Sequence, residues 1–99
     1  MKITLTDFAK RQVHAIYSYY KETASVPVAK KIKKEIDETI FQLKDFPESG
    51  QVEEAMNRFG KKYRRLISGN YKIIYRIEEN KIYVTDVFDS RQDPSKIKP

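Results

Sequence analysis

Six cationic side chains lie between Gly60 and Ile77 with no acidic residue among them: Lys61, Lys62, Arg64, Arg65, Lys72 and Arg76. The chain carries 20 Lys and Arg residues against 14 Asp and Glu, so these six account for its whole net charge of +6. Cations concentrated in one segment attract an anionic partner. They can also stabilise the negative charge that develops when a phosphodiester is cleaved. The segment therefore indicates either a surface for an anionic target or part of a site for RNA cleavage.

Cleavage of RNA without a metal also requires a base for the 2′-hydroxyl and an acid for the leaving 5′-oxygen. Lys72 could act as the base if crowding by Arg65 and Arg76 disfavours its protonated form. Tyr71 and Tyr75 could donate protons, but they alternate with Lys72 along a predicted strand and so point to the opposite face. The set is incomplete for a nuclease. A face of solvated Lys and Arg side chains explains the same residues without catalysis.

Few other residues suggest chemistry. Asp86 and Asp89 could form a cation site, but two carboxylates on one strand more often pair with Arg, here Arg91 or Arg76. The one histidine, His14, cannot make a His-based metal site, and the chain has no cysteine. We therefore expect no metal and no other cofactor.

Length and composition predict one soluble domain over residues 1–99. The chain is long enough to bury a core, and its residues are 39% hydrophobic and 34% charged. No apolar run approaches the length of a membrane span, and the N-terminus lacks the apolar core of a signal peptide. We expect a cytoplasmic protein that does not contact a membrane.

The elements that must position the cations begin with a strand and two helices. Alternation of apolar and polar residues predicts a short strand over Lys2–Leu5. Apolar residues at helical spacing predict a helix over about residues 7–22 with Thr6 or Asp7 as its N-cap. A second helix follows the cap Ser25, and the short link between the two makes them antiparallel. The apolar stripe of the second helix consists of Ile32, Ile36, Ile40 and Leu43.

Three strands follow, over about residues 61–68, 71–78 and 81–89, separated by the turn residues SGN and EN. Residues 48–60 have no firm periodicity. Because helices and sheets each bury one apolar side, the helical hairpin should cover one face of the sheet. The covered face is predicted to carry Tyr71, Ile73, Tyr75 and Ile77, which leaves Lys72 and Arg76 on an open face.

This order of elements, together with the stretches FPESG, YRRLISGNYKIIYRI and VFDSRQDPSKI, resembles the RelE/ParE superfamily of bacterial toxins. The resemblance covers nearly the whole chain. It implies an α+β fold in which an N-terminal strand and an antiparallel two-helix hairpin pack on one face of a three- to four-stranded antiparallel sheet. It also implies a toxin of a type II toxin–antitoxin system, which inhibits growth and is held inactive by a cognate antitoxin.

The superfamily holds two activities, since RelE-like members cleave mRNA in the ribosome whereas ParE-like members poison DNA gyrase. The resemblance places Lys72 where RelE-like members have a key Arg, and Arg91 one residue from the Arg of the C-terminal motif. A basic position of the preceding strand corresponds to Arg64 or Arg65, in a register that the sequence leaves open. The C-terminal tyrosine of RelE-like enzymes has no counterpart, because Ile97 falls there.

These departures, together with the long helical hairpin, favour a ParE-like inhibitor of gyrase. The alternatives are a RelE-like, metal-independent mRNA endoribonuclease and a small non-toxic nucleic-acid-binding module. We expect a cognate antitoxin as partner, and gyrase or the ribosome with its mRNA as target. The candidate catalytic residues are Arg65, Lys72, Arg76 and Arg91; the candidate anion- and target-binding residues are these four with Lys61, Lys62 and Arg64.

Overall fold

A computed structural model of the chain describes all residues, 1–99. Helix α1 spans Asp7–Thr23 and begins at Thr6, whose hydroxyl accepts a hydrogen bond from the Ala9 amide at 3.1 Å. Helix α2 spans Val26–Phe41 and begins at Ser25, which accepts from the Val28 amide at 3.2 Å. The predicted caps are confirmed, and the two-residue link makes the helices antiparallel.

The sheet has five strands: β1 (Lys2–Leu5), β2 (Gln51–Val52), β3 (Arg64–Ser68), β4 (Tyr71–Glu78) and β5 (Lys81–Asp89). Their order in the sheet is β1-β5-β4-β3-β2. Strand β1 (Lys2–Leu5) runs parallel to β5, and the other pairs are antiparallel. The predicted α+β fold is confirmed, with one strand more than expected and one parallel pair.

The helices cover one face of this sheet, as predicted. Ile73 and Tyr75 of β4 are fully buried there, and Tyr71 is almost so. They pack with Ile36 and Ile40 of α2 in a core of 11 buried residues. Leu43 also belongs to this core, although α2 has ended and Leu43 lies in a short 3-10 helix, Gln42–Lys44.

A tight turn joins β4 to β5 and fixes their register. Both turn residues, Glu79 and Asn80, have positive φ angles, of 51° and 63°. Such a turn matches the right-handed twist of two paired strands. The alternation of β4 is therefore fixed, with Lys72 and Arg76 on the face that points away from the helices, which we call the distal face.

Candidate functional site: a cationic cluster held by carboxylates

Strand register sorts the predicted cations between the two faces of the sheet. Arg65 lies opposite Ile74 and Arg64 lies opposite Tyr75. Residues directly opposite each other share a face, so Arg65 belongs to the distal face and Arg64 to the helix-covered face. The structure thereby decides the register that the sequence left open, and it brings Arg65 and Lys72 together.

The distal face is not open along its whole length. Between Lys72 and Arg76, the fully buried Ile74 forms part of a second apolar cluster, which we call the distal core. A 3-10 helix, Glu54–Phe59, and the C-terminal residues cover it. The prediction of a bare face is therefore wrong at its centre. The distal core consists of Met56, Tyr63, Ile74, Phe88 and Ile97.

Glu53 lies between the two cations that the sequence marked most strongly. Its side chain is almost buried, and one carboxylate oxygen accepts a hydrogen bond from Lys72 Nζ at 2.9 Å. The other oxygen lies 3.5 Å from the Arg65 guanidinium. Arg65 also donates to the Val52 carbonyl at 2.8 Å and to Gln51 Oε1 at 3.0 Å. These groups form a satisfied network and leave no free base.

Arg76 is paired in a similar way at the other end of the distal face. Its guanidinium binds Glu78 and lies over the Tyr83 ring, 4.5 Å from the ring centre. Lys61 donates to the same carboxylate at 3.3 Å. The Lys61 hydrogen bond and the charge of Arg76 lower the pKa of Glu78. Ile74 and the distal core separate this group from the network around Glu53.

The remaining predicted residues lie elsewhere. Arg64 donates to the Gly50 carbonyl at 2.7 Å, so it ties the loop before β2 to the sheet. Arg91 lies on the helix-covered side, where its guanidinium donates two hydrogen bonds to Asp89, at 2.9 and 2.8 Å, and its backbone amide donates a third. These bonds lower the pKa of Asp89. Of the seven predicted anion-binding residues, only Lys62 has neither a side-chain hydrogen bond nor an ion pair.

The tyrosine hydroxyls are also occupied, on the other face. Tyr75 accepts a hydrogen bond from the Gly50 amide at 2.9 Å, and burial raises the pKa of its phenol. Tyr71 donates to the Tyr20 hydroxyl at 3.3 Å, and burial together with that contact raises its pKa. Neither hydroxyl reaches the distal face, which confirms the predicted orientation.

Sequence reasoning missed the polar groups that hold the C-terminal residues against the distal core. Arg58 donates to the carbonyls of Ser95 and Ile97, at 2.9 and 3.3 Å. Thr85 donates to the Lys98 carbonyl at 3.1 Å, and Asp86 accepts from the Lys98 amide at 3.0 Å.

A β-bulge explains how two neighbouring residues, Thr85 and Asp86, can both bond to the backbone of Lys98. The partner of Ile74 is Asp86 and that of Tyr75 is Val84, so Thr85 is an extra residue in β5. An extra residue breaks the alternation of side chains and redirects them. The prediction that Asp86 pairs with an Arg is thus wrong, whereas Asp89 does so. The bulge leaves no pattern that the sequence alone would reveal.

We expect the stability of the fold to depend on pH through the contact of Asp86 with the Lys98 amide. Burial raises the pKa of the Asp86 carboxyl, although the Lys98 amide bonds to it. The folded chain therefore holds this proton more tightly than the unfolded chain, so the contribution to stability is present at low pH and is lost as pH rises through the folded pKa. The free energy of unfolding of the wild type relative to Asp86→Asn should increase as pH falls from about 7 to 4. Urea unfolding of both proteins checks this, and a relative loss of wild-type stability on acidification would contradict it.

These features define a small α+β protein in which a helical hairpin covers one face of a mainly antiparallel sheet and paired cations lie on the other. A family model described as "ParE toxin of type II toxin-antitoxin system, parDE" matches residues 3–94. The chain therefore belongs to the ParE toxin family. It is the toxin component of a type II toxin–antitoxin system, and its partner is an antitoxin.

A solved structure shares the fold. The chromosomal ParDE TA system from P. aeruginosa contains a chain that superposes with a TM-score of 0.77 at 19% sequence identity. The alignment covers 90% of this chain and 95% of that chain. A search of curated proteins gave no match. Neither helix has the length and apolar character that crossing a lipid bilayer requires.

Proposed function

We infer that this toxin acts by binding and inhibiting DNA gyrase, in the cytoplasm, and not by cutting RNA. Inhibition of gyrase is the activity known for ParE toxins. The observation that carries the inference is the 2.9 Å bond between Lys72 Nζ and Glu53. It turns the best candidate for a general base into one half of an ion pair.

The surroundings of that ion pair support the same conclusion. A base for RNA cleavage must lie within hydrogen-bond reach of the hydroxyl whose proton it takes. The base role of Lys72 depended on crowding by Arg65 and Arg76. The Glu53 carboxylate offsets the charge of Arg65, and Arg76 is bound to Glu78 beyond Ile74. The cations around Lys72 are thus occupied in holding the protein together.

Two purified reactions test the function. In the first, gyrase supercoils relaxed plasmid in the presence of the toxin, and trapped DNA breaks are counted. In the second, a ribosomal translation reaction receives the same toxin and its mRNA is examined for cuts. We expect loss of supercoiling with accumulation of broken DNA in the first reaction, and intact mRNA in the second. Codon-dependent cuts with unaffected gyrase would overturn the inference and favour the RelE-like activity.

Growth of bacteria separates both toxin activities from the non-toxic binding module. Induction of the chain alone should stop growth, and co-expression of its antitoxin should restore it. Normal growth with soluble, folded protein would contradict a toxin of either kind.

A further inference from the structure

Two lysines lie side by side on the distal face, at the end that the distal core leaves uncovered. Lys2 of β1 and Lys81 of β5 are partners in the parallel register, so their strands are about 4.8 Å apart. Both side chains are exposed, and neither forms an ion pair or a side-chain hydrogen bond. Like charges on adjacent strands repel each other. Glu78, which lies opposite Lys81 on β4, is already bound by Lys61 and Arg76.

More positive charge surrounds these two lysines. Lys81 of β5 lies opposite Glu78 of β4. The shallow depression around Glu78 is lined by Lys61, Lys62 and Arg76. Glu79 is the only other acidic residue in the adjoining turn. Five cations against two carboxylates leave this end of the face with a surplus of three positive charges.

Protection of a sheet edge explains only part of the pattern. A lysine on an edge strand discourages pairing with another sheet, and Lys2 lies on the edge strand β1. Lys81, however, lies on β5, which is paired on both sides at that position. A second, unpaired lysine beside the first is therefore better explained by an anionic partner.

The aromatic residues nearby indicate which anion fits. Proteins that bind single-stranded nucleic acid stack its bases on exposed aromatic rings. Here the ring of Tyr83 is covered by the Arg76 guanidinium, and Tyr63 is buried in the distal core. Phe59 is 38% exposed, but the Arg58 guanidinium lies over its ring, 4.5 Å from the ring centre. The surface thus offers charge without a stacking platform, which suits the phosphate backbone of a duplex.

We propose that Lys2, Lys62 and Lys81 form a contact surface for the phosphate backbone of double-stranded DNA. This goes beyond the proposed function, because a toxin can bind gyrase without touching DNA itself. The contact would place the distal face against the duplex that the target enzyme holds.

The test measures binding of the purified toxin to a short DNA duplex, without gyrase, over a range of salt concentrations. The affinity should fall steeply with salt. The triple variant Lys2→Gln/Lys62→Gln/Lys81→Gln should bind on the order of tenfold more weakly, and its salt slope should decrease by about 0.9 for each phosphate that the variant no longer neutralises. Thermal unfolding of the variant establishes that it is folded.

The matched control is Lys21→Gln/Lys30→Gln/Lys31→Gln. It removes three exposed lysines from the helices, which also lack ion pairs, so the change in net charge is the same. The control should retain most of the affinity. Equally weakened binding in both variants, absence of duplex binding, or tighter binding of single-stranded RNA would each overturn the proposal. Because gyrase inhibition is measured separately, those results would leave the proposed function standing.

Discussion

Gly50→Val is expected to destabilise the fold by about 3 kcal/mol, because the loop before β2 lies directly on a buried ring. A Cβ atom at Gly50 would lie 2.6 Å from the Tyr75 hydroxyl oxygen and 2.8 Å from the Arg65 carbonyl. Tyr75 is fully buried, so its ring cannot move away without disturbing the core of 11 residues between the helices and the sheet. The substitution would also disturb the hydrogen bond from the Gly50 amide to the Tyr75 hydroxyl. Urea unfolding measures the decrease in stability.

Glu48→Val is the matched control for this prediction. Glu48 is exposed in the same loop, and its side chain makes no contact that holds the fold, so its replacement should change stability by no more than about 0.5 kcal/mol. Equal effects of the two substitutions would mean that the loop does not pack on Tyr75 as described. The glycine that closes the FPESG stretch is therefore needed for close approach to a ring.

Glu53→Ala is expected to destabilise the protein by about 2 to 3 kcal/mol. Removing one partner of a buried ion pair costs about 3–5 kcal/mol, because the other charge is left without compensation. The value here should be smaller, since the side chains of Lys72 and Arg65 remain 19% and 26% exposed. Denaturant unfolding checks this, with the exposed neighbour Glu54→Ala as the control, which should change stability by about 0.5 kcal/mol or less.

Replacing both members of the Glu53–Lys72 pair should behave differently from replacing Glu53 alone. The double variant Glu53→Leu/Lys72→Met puts apolar side chains of similar size next to the distal core, and such replacements of a buried pair are often neutral or stabilising. It should therefore recover most of the stability that Glu53→Ala removes. Arg65 also loses its carboxylate in both variants but keeps its hydrogen bonds to Val52 and Gln51. A double variant less stable than Glu53→Ala would therefore show that the cost does not come from the uncompensated charge of Lys72.

The sequence predicted most of the fold because its signals were local. Thr6 and Ser25 are good caps, and their side chains hold the first free amides as expected. The alternation along β4 placed Tyr75 beneath the helices and Lys72 on the far side, and both assignments hold. Strand β2 has only two residues, which is too short for any periodicity to be recognised.

The site was predicted less well because its contacts join distant parts of the chain. The cations between Gly60 and Ile77 were visible in the sequence as a cluster. Their partner Glu53, however, lies in a stretch without periodicity, 19 residues before Lys72. Thr85 and Asp86 both bond to the Lys98 backbone because of a bulge that only strand pairing reveals. Arg58 reaches the C-terminal residues from the 3-10 helix, 37 residues before Ser95. The charge of a segment can be counted from a sequence, whereas its neutralisation depends on which loop packs beside it.

A gyrase supercoiling assay with the folded Glu53→Leu/Lys72→Met variant tests most directly whether the network around Glu53 serves only to stabilise the fold. Our account predicts that the variant inhibits gyrase within about threefold of the wild type, since a threefold change is less than about 1 kcal/mol. A variant that is folded and as stable as the wild type, yet leaves supercoiling unaffected, would contradict it and return Lys72 to the working surface of the toxin.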